Sequence, residues 1–132
     1  VGERIFVLQK QELTELVDED GDGRADLFRA VSAGWPVSAN FHEFAFGLPR
    51  DDAGNFYVSL NVSFGDPEWW LGRSTVPYRG WVVRVTPQGE LQPFAFGLRS
   101  PNGLGRNAAG DLFATDNQGD WMPACPIFHL EQ

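Results

Sequence analysis

Two stretches of this chain are written to one pattern. Gly54-Asn55-Phe56-Tyr57-Val58-Ser59 and Gly110-Asp111-Leu112-Phe113-Ala114-Thr115 lie 56 positions apart, each a Gly-led turn followed by an apolar run. A repeat near fifty residues built on a turn and a strand is the mark of propeller blades, units that bury their apolar faces only against neighbouring units. The string Phe-Ala-Phe-Gly-Leu also occurs twice, at 44–48 and 94–98, but the Gly turn follows the two copies at different distances. Those copies are read as different strands that share a string by coincidence.

Short apolar or alternating runs recur along the whole chain between Gly, Pro, Asn and Asp turns, and no window sustains the i, i+3, i+4, i+7 spacing of a helix. The candidate strands are 5–8, 13–17, 27–32, 42–47, 56–60, 81–86, 91–96, 103–106, 112–116 and 127–130. The fold class is all-β. On the repeat, 1–36 is the end of one blade, 37–98 a complete four-stranded blade and 99–132 the start of the next, so the chain reads as a β-propeller fragment of about two and a half blades. An open stack leaves unpaired edges and half-buried faces, which makes the remaining blades of a parent chain its expected partners.

Asp18, Glu19, Asp20, Asp22 and Asp26 supply five of the eighteen acidic residues within nine positions, so much of the formal charge of -8 is local. That concentration describes a cation site, and it disfavours nucleic acid, which needs a basic footprint. From Asp18 to Asp26 the carboxylates stand at relative positions 1, 3, 5 and 9 with Gly at 6, the spacing by which loops wrap oxygen around calcium. On that pattern Asp18, Asp20 and Asp22 give side-chain oxygens, Arg24 its backbone carbonyl and Asp26 a direct or water-mediated contact. An EF-hand carries a bidentate Glu at position 12, where this chain has Arg29, and no helices flank the loop. The loop is therefore expected in a β-hairpin, between the third and fourth strands of its blade, where Pro87-Gln88-Gly89 sits in the next. That position makes the calcium structural and remote from chemistry.

The longest apolar stretches, such as 44–48, are far shorter than a bilayer requires. The first residues, Val-Gly-Glu-Arg, lack the pattern of a signal peptide, and a single cysteine, Cys125, allows neither an internal disulfide nor a thiolate metal cluster. The compartment stays open on these grounds.

His42 and Asn102 are placed at equivalent positions opening the innermost strands of successive blades, facing the central channel. Arg99, Asn61, Trp69, Trp70 and the stretch 116–121 fall near them by topology. Polar groups beside aromatic surfaces suit a ring-shaped ligand such as a sugar or a quinone. Trp35, Trp81 and Trp121 are assigned to packing between blades, and His129 to a structural place. Asn61-Val62-Ser63 is a glycosylation sequon.

Gly97-Leu98-Arg99-Ser100-Pro101-Asn102-Gly103-Leu104, followed by 110–116, resembles the blade signature of the soluble quinoprotein glucose and sorbosone dehydrogenases. The resemblance implies a six-bladed propeller that binds pyrroloquinoline quinone over its channel, with Arg99 and Asn102 holding the quinone and His42 taking the sugar hydroxyl proton. Asn117-Gln118-Gly119 is similar to that family's loop that holds a calcium near the quinone, which adds Gln118 to the cofactor contacts. The departures are Ser100 for an Asn, Asn102 for a Gln, and Asn61-Val62 where the family keeps the acidic partner of its His. The string His-Glu-Phe-Ala-Phe-Gly and the Asp-rich loop are similar to dehydrogenase-like propellers of large secreted bacterial proteins, which implies a periplasmic or secreted setting. Catalysis by this stretch alone is not expected, because a quinone site over the channel draws on further blades.

Two other readings stand beside this one. Pro101-Asn102-Gly103-Leu104 with Thr115-Asp116 also resembles the gluconolactonase and regucalcin propellers, in which Asn102 becomes a metal ligand for lactone hydrolysis. The third is a propeller that binds a protein or glycan without catalysis.

Overall fold

The computed structural model describes residues 4–65, 74–119 and 122–131. Among the described residues there are ten strands: β1 Ile5–Leu8, β2 Leu13–Val17, β3 Leu27–Ser32, β4 Ala45–Phe46, β5 Phe56–Leu60, β6 Trp81–Val85, β7 Leu91–Phe96, β8 Gly103–Arg106, β9 Leu112–Thr115 and β10 Ile127–Leu130. They form three antiparallel sheets with neighbours in chain order, β1-β2-β3, β4-β5-β6-β7 and β8-β9-β10. The all-β reading holds. Among the described residues no helix is long and apolar enough to cross a membrane.

The middle sheet shows why the runs at 56–60 and 81–85 are continuously apolar. Phe56, Val58, Leu60, Val83 and Val85 join Leu13 and Trp35 in one core, while Tyr57 and Val82 join Leu98, Leu112, Ala114 and Leu130 in a second. With alternate side chains going to opposite faces, all five residues of β5 are buried, so the run that fits a strand covered on both sides is one. Each large apolar side chain so buried stabilises the fold by about 1.5–3 kcal/mol relative to exposure. Trp35 contributes to the first core as packing, and its indole N–H donates to the Lys10 carbonyl at 3.1 Å.

The 56-residue repeat extends further in space than in spelling. Arg50 Nε donates to the Gly54 carbonyl at 3.0 Å and Arg106 Nε to the Gly110 carbonyl at 3.1 Å. The backbone turns close alike, Gly54 N on Asp51 O at 3.0 Å and Gly110 N on Asn107 O at 3.1 Å. At β4 the ladder is shorter than the expected 42–47. Phe44 N turns back to the His42 carbonyl at 2.9 Å, so the pairing ends at the Phe44 carbonyl, which accepts from Asn61 N at 3.1 Å, and Gly47 takes φ 85°. Pairing resumes only at the Arg50–Phe56 bridge. The twice-written Phe-Ala-Phe-Gly-Leu falls on β4 and β7, opposite edges of one sheet.

The sheets also touch through their turns. Gly89, at φ 85° in the turn joining β6 and β7, lies so close to the carbonyl of Val31 that a Cβ would collide with it. That approach, together with the positive φ, requires glycine.

Candidate functional site

The acidic loop joins β2 to β3, as residues 86–90 join β6 to β7 in the middle sheet. Its neck is closed by Asp26 N on the Val17 carbonyl and by Glu19 N on Asp26 Oδ2, both 2.8 Å. Inside, Asp18 accepts from Gly21 N at 2.7 Å and Gly23 N at 2.8 Å, Asp20 from Asp22 N at 3.1 Å, and Asp22 from Arg24 N at 2.8 Å. These bonds turn three exposed carboxylates inward until Asp18, Asp20 and Asp22 offer oxygens within 4.8 Å of one another. The N–H of Gly23, with that of Gly21, holds the Asp18 carboxyl below its ordinary range. An all-oxygen, all-anionic donor set of this kind fits a hard divalent cation and no soft one. Asp26 is engaged at the neck, and Arg24 contributes its N–H to the turn.

His42 stands in the loop leading into β4. Its backbone N–H donates to Asn40 Oδ1 at 2.9 Å, and its Nδ1 meets the Val62 carbonyl at 3.1 Å. A carbonyl only accepts, so Nδ1 is the donor, and in the neutral ring Nε2 is the nitrogen with the lone pair. Rings of Phe64, Phe44 and Phe41 stand 5.4, 5.9 and 6.1 Å from the imidazole, all three of them exposed. The arrangement is a proton acceptor set in an aromatic surface.

Beneath it lies a polar network that the sequence did not announce. Glu43 and Arg79 have 0% side-chain exposure, with Arg79 Nε 3.9 Å from Glu43 Oε2. Glu43 accepts from Ser63 Oγ at 2.7 Å, Ser38 Oγ at 2.9 Å and Ser38 N at 2.6 Å. Ser38 Oγ in turn accepts from Asn40 N at 3.0 Å, so Glu43 braces the residue that caps His42. Burial by itself raises the Glu43 carboxyl, but the hydroxyl and amide donors and the Arg79 charge outweigh it and hold the group below its ordinary range. Arg79 donates to the carbonyls of Pro36 at 2.7 Å and Phe44 at 3.4 Å, clamping both ends of the loop. Tyr78, at φ 65°, makes the unusual turn that precedes it.

Arg99 reaches the same end of the molecule through Val62, whose N–H donates to the Arg99 carbonyl at 2.9 Å while its own carbonyl meets His42. Arg99 Nη1 donates to the Gln118 carbonyl at 3.0 Å, which joins two of the expected cofactor contacts. Asp116 shapes this corner: its buried carboxylate accepts from Arg99 N at 2.8 Å, Ser100 N at 2.7 Å and Asn117 N at 2.8 Å. Asn102 is exposed, and Thr115 Oγ1 donates to its Oδ1 at 3.4 Å. The assumed equivalence of His42 and Asn102 fails on register. Ser59, which pairs with Phe46, is the repeat mate of Thr115, which pairs with Gly103, so Asn102 takes the place of Ala45, while His42 lies outside the strand.

Asn61 of the sequon is buried, inaccessible to a glycosylating enzyme in the folded chain. Trp69, Trp70 and Trp121 lie outside the described residues. A shallow groove of about 250 Å³ opens elsewhere, between the ends of β7 and β10, and none of His42, Arg99, Asn102 or Gln118 lines it. Glu43 and Arg79 were missed by sequence reasoning because nothing local distinguishes a buried ion pair from two surface charges. The one available signal was Glu43 inside an otherwise apolar string.

Comparison with protein-family models, with curated proteins and with solved structures gives no match to this chain.

Proposed function

We propose that the chain is part of a six-bladed β-propeller of the quinoprotein sugar-dehydrogenase type, with a structural calcium in the loop 18–26. The propeller reading is supported by three antiparallel sheets packed face to face in chain order, the middle one buried on both sides. The dehydrogenase reading is supported by one observation above others: Val62 fixes the His42 tautomer that leaves Nε2 as acceptor within an exposed aromatic surface. A sugar lays its C–H face on such rings and donates a hydroxyl to Nε2. The Val62 carbonyl takes the orienting place of the missing acidic partner, without a carboxylate's charge. Arg99, Asn102 and Gln118 supply the cationic and amide contacts for pyrroloquinoline quinone, and the bound quinone would supply the two-electron acceptor. Asp18, Asp20 and Asp22 would hold the calcium, with Asp26 and the Arg24 carbonyl completing the loop.

The lactonase reading needs a carboxylate beside Asn102. Among the described residues the metal-competent cluster is the Asp triad, and Asp116 is engaged by three backbone N–H groups. The test is spectroscopic, on the assembled propeller. Bound quinone should bleach when sugar is added, and His42→Asn should keep quinone binding while slowing bleaching about 10²–10⁴-fold. Chelator-sensitive lactone hydrolysis without quinone would put the lactonase in its place, and neither activity would leave a binding module.

A further inference from the structure

Between Asn40 and Phe44 the chain leaves the ladder that it joins at Ala45. On the other side β5, after its last pair with β4, continues as residues 61–64, and the excursion is closed back on that extension in antiparallel order. At the near end Asn61 N donates to the Phe44 carbonyl at 3.1 Å. In the middle His42 Nδ1 meets the Val62 carbonyl at 3.1 Å. At the far end Asn40 meets Phe64, and there the partner is a side chain. Asn40 Oδ1 accepts from Phe64 N at 3.3 Å, and Asn40 Nδ2 donates to the Phe64 carbonyl at 3.0 Å.

Two facing residues of an antiparallel pair exchange an N–H and a carbonyl in just this way. The carboxamide of Asn40 therefore stands in for a backbone partner of Phe64. Its neighbours also assign it, since the atom facing two N–H groups is the oxygen and the atom facing a carbonyl is the nitrogen. The second of those N–H groups is that of His42, at 2.9 Å. One short side chain thus joins the segment that carries the imidazole to the segment that carries the Val62 carbonyl and the Phe64 ring. Asn40 is itself held, by its N–H on Ser38 Oγ at 3.0 Å and by Lys10 Nζ on its carbonyl at 2.8 Å.

We propose that Asn40 is a positioning residue for His42. By pairing with Phe64 it keeps the Val62 carbonyl on Nδ1, which leaves the lone pair of the neutral ring on Nε2, and it keeps the Phe64 ring 5.4 Å from the imidazole. Its part in removing a hydroxyl proton rests on the sugar-dehydrogenase reading, whereas its hold on the ring does not. The bonds specify the residue. Aspartate keeps the size and both acceptor bonds but turns a second oxygen on the Phe64 carbonyl, with no hydrogen to donate to it. Alanine removes these bonds altogether.

Histidine nitrogen spectra of the assembled propeller at about pH 8, above the ordinary imidazole range, read the tautomer directly, with the His42 signals identified by their loss in His42→Asn. Wild type should show a protonated Nδ1 and an unprotonated Nε2. Asn40→Asp and Asn40→Ala should each give a mixture of the two tautomers. Both should slow bleaching of bound quinone about tenfold, short of the roughly 10²–10⁴-fold that a base contributes. Lys10→Met frees the same loop at the Asn40 carbonyl but leaves the carboxamide pairing, so it should keep one tautomer. A single Nδ1–H tautomer in both Asn40 variants overturns the inference, and so does a mixture in Lys10→Met, because any loosening of the loop would then suffice. Bleaching that is not slowed although the tautomers mix overturns the part of Asn40 in the reaction. Wild type that never bleaches, while the Asn40 variants still mix tautomers, upholds the positioning and removes the dehydrogenase reading instead.

Discussion

The acidic loop and the buried Glu43 treat carboxylates oppositely. In the loop 18–26 three of them converge in solvent with backbone N–H groups as partners. Beneath His42 a single one is sealed from solvent with two serines and an arginine. The first leaves oxygens turned toward one another and wants a cation from outside. The second has its cation built in, as a residue 36 positions along the chain. An anionic group is open for binding when its partners are small N–H donors on one side, and closed for structure when its partners surround it.

The largest effect comes from breaking the closed cluster. Arg79→Met leaves Glu43 buried beside no cation, and the cost is expected at about 3–5 kcal/mol, read as a drop in the urea midpoint. A loss under about 1 kcal/mol would mean that the serines alone suffice. Acid comes next. Glu43 has a depressed folded-state carboxyl, so its contribution is fully present above its unfolded value near 4.5 and is lost as pH falls through the lower folded value. Glu43→Gln should therefore lower stability at neutral pH and flatten its decline below about pH 4.5, in acid titrations followed by fluorescence.

The open cluster should respond the other way. Without metal, Asp20→Ala is expected to change stability by less than about 0.5 kcal/mol. With calcium at a hundred times its dissociation constant the unaltered chain should gain about 2.7 kcal/mol and the variant little of it, in thermal melts with and without chelator. Equal gains would remove calcium from the loop. The smallest expected effect is none at all: expressed in a glycosylating host, the chain should carry no glycan on Asn61, and its intact mass should show none. A glycan there would mean that the closed region forms late or opens.

The strands were legible because their signals are local. Alternation or a continuous apolar run, bounded by Gly, Pro or Asp, located all ten; β6 and β9 end one residue earlier than expected, and β4 was overdrawn by more, where Phe44 N turns back to the His42 carbonyl. The acidic loop was legible too, since its ligands sit within nine positions. The network under His42 was not. Glu43, Ser63 and Arg79 meet through long-range packing, and Asn61 reads as a surface sequon until the fold buries it. His42 was found as a residue, but its tautomer depends on the carbonyl of Val62, twenty positions away.

The repeated turn carries a different lesson. In one copy Asn55 donates its amide to Asp51 at 2.7 Å; in the other Asn107 donates to Asp111 at 2.8 Å, so acid and amide have changed places. In both, the first residue's Oδ1 still receives the backbone N–H four positions on, at 2.8 and 2.9 Å. The turn specifies one of each and is indifferent to which comes first. A lineage moving between the two spellings cannot do so in one step: it passes through two amides, which can still bond, or through two acids, which repel. The route through paired amides is the passable one, and an Asn–Asn turn is the intermediate that related blades should preserve.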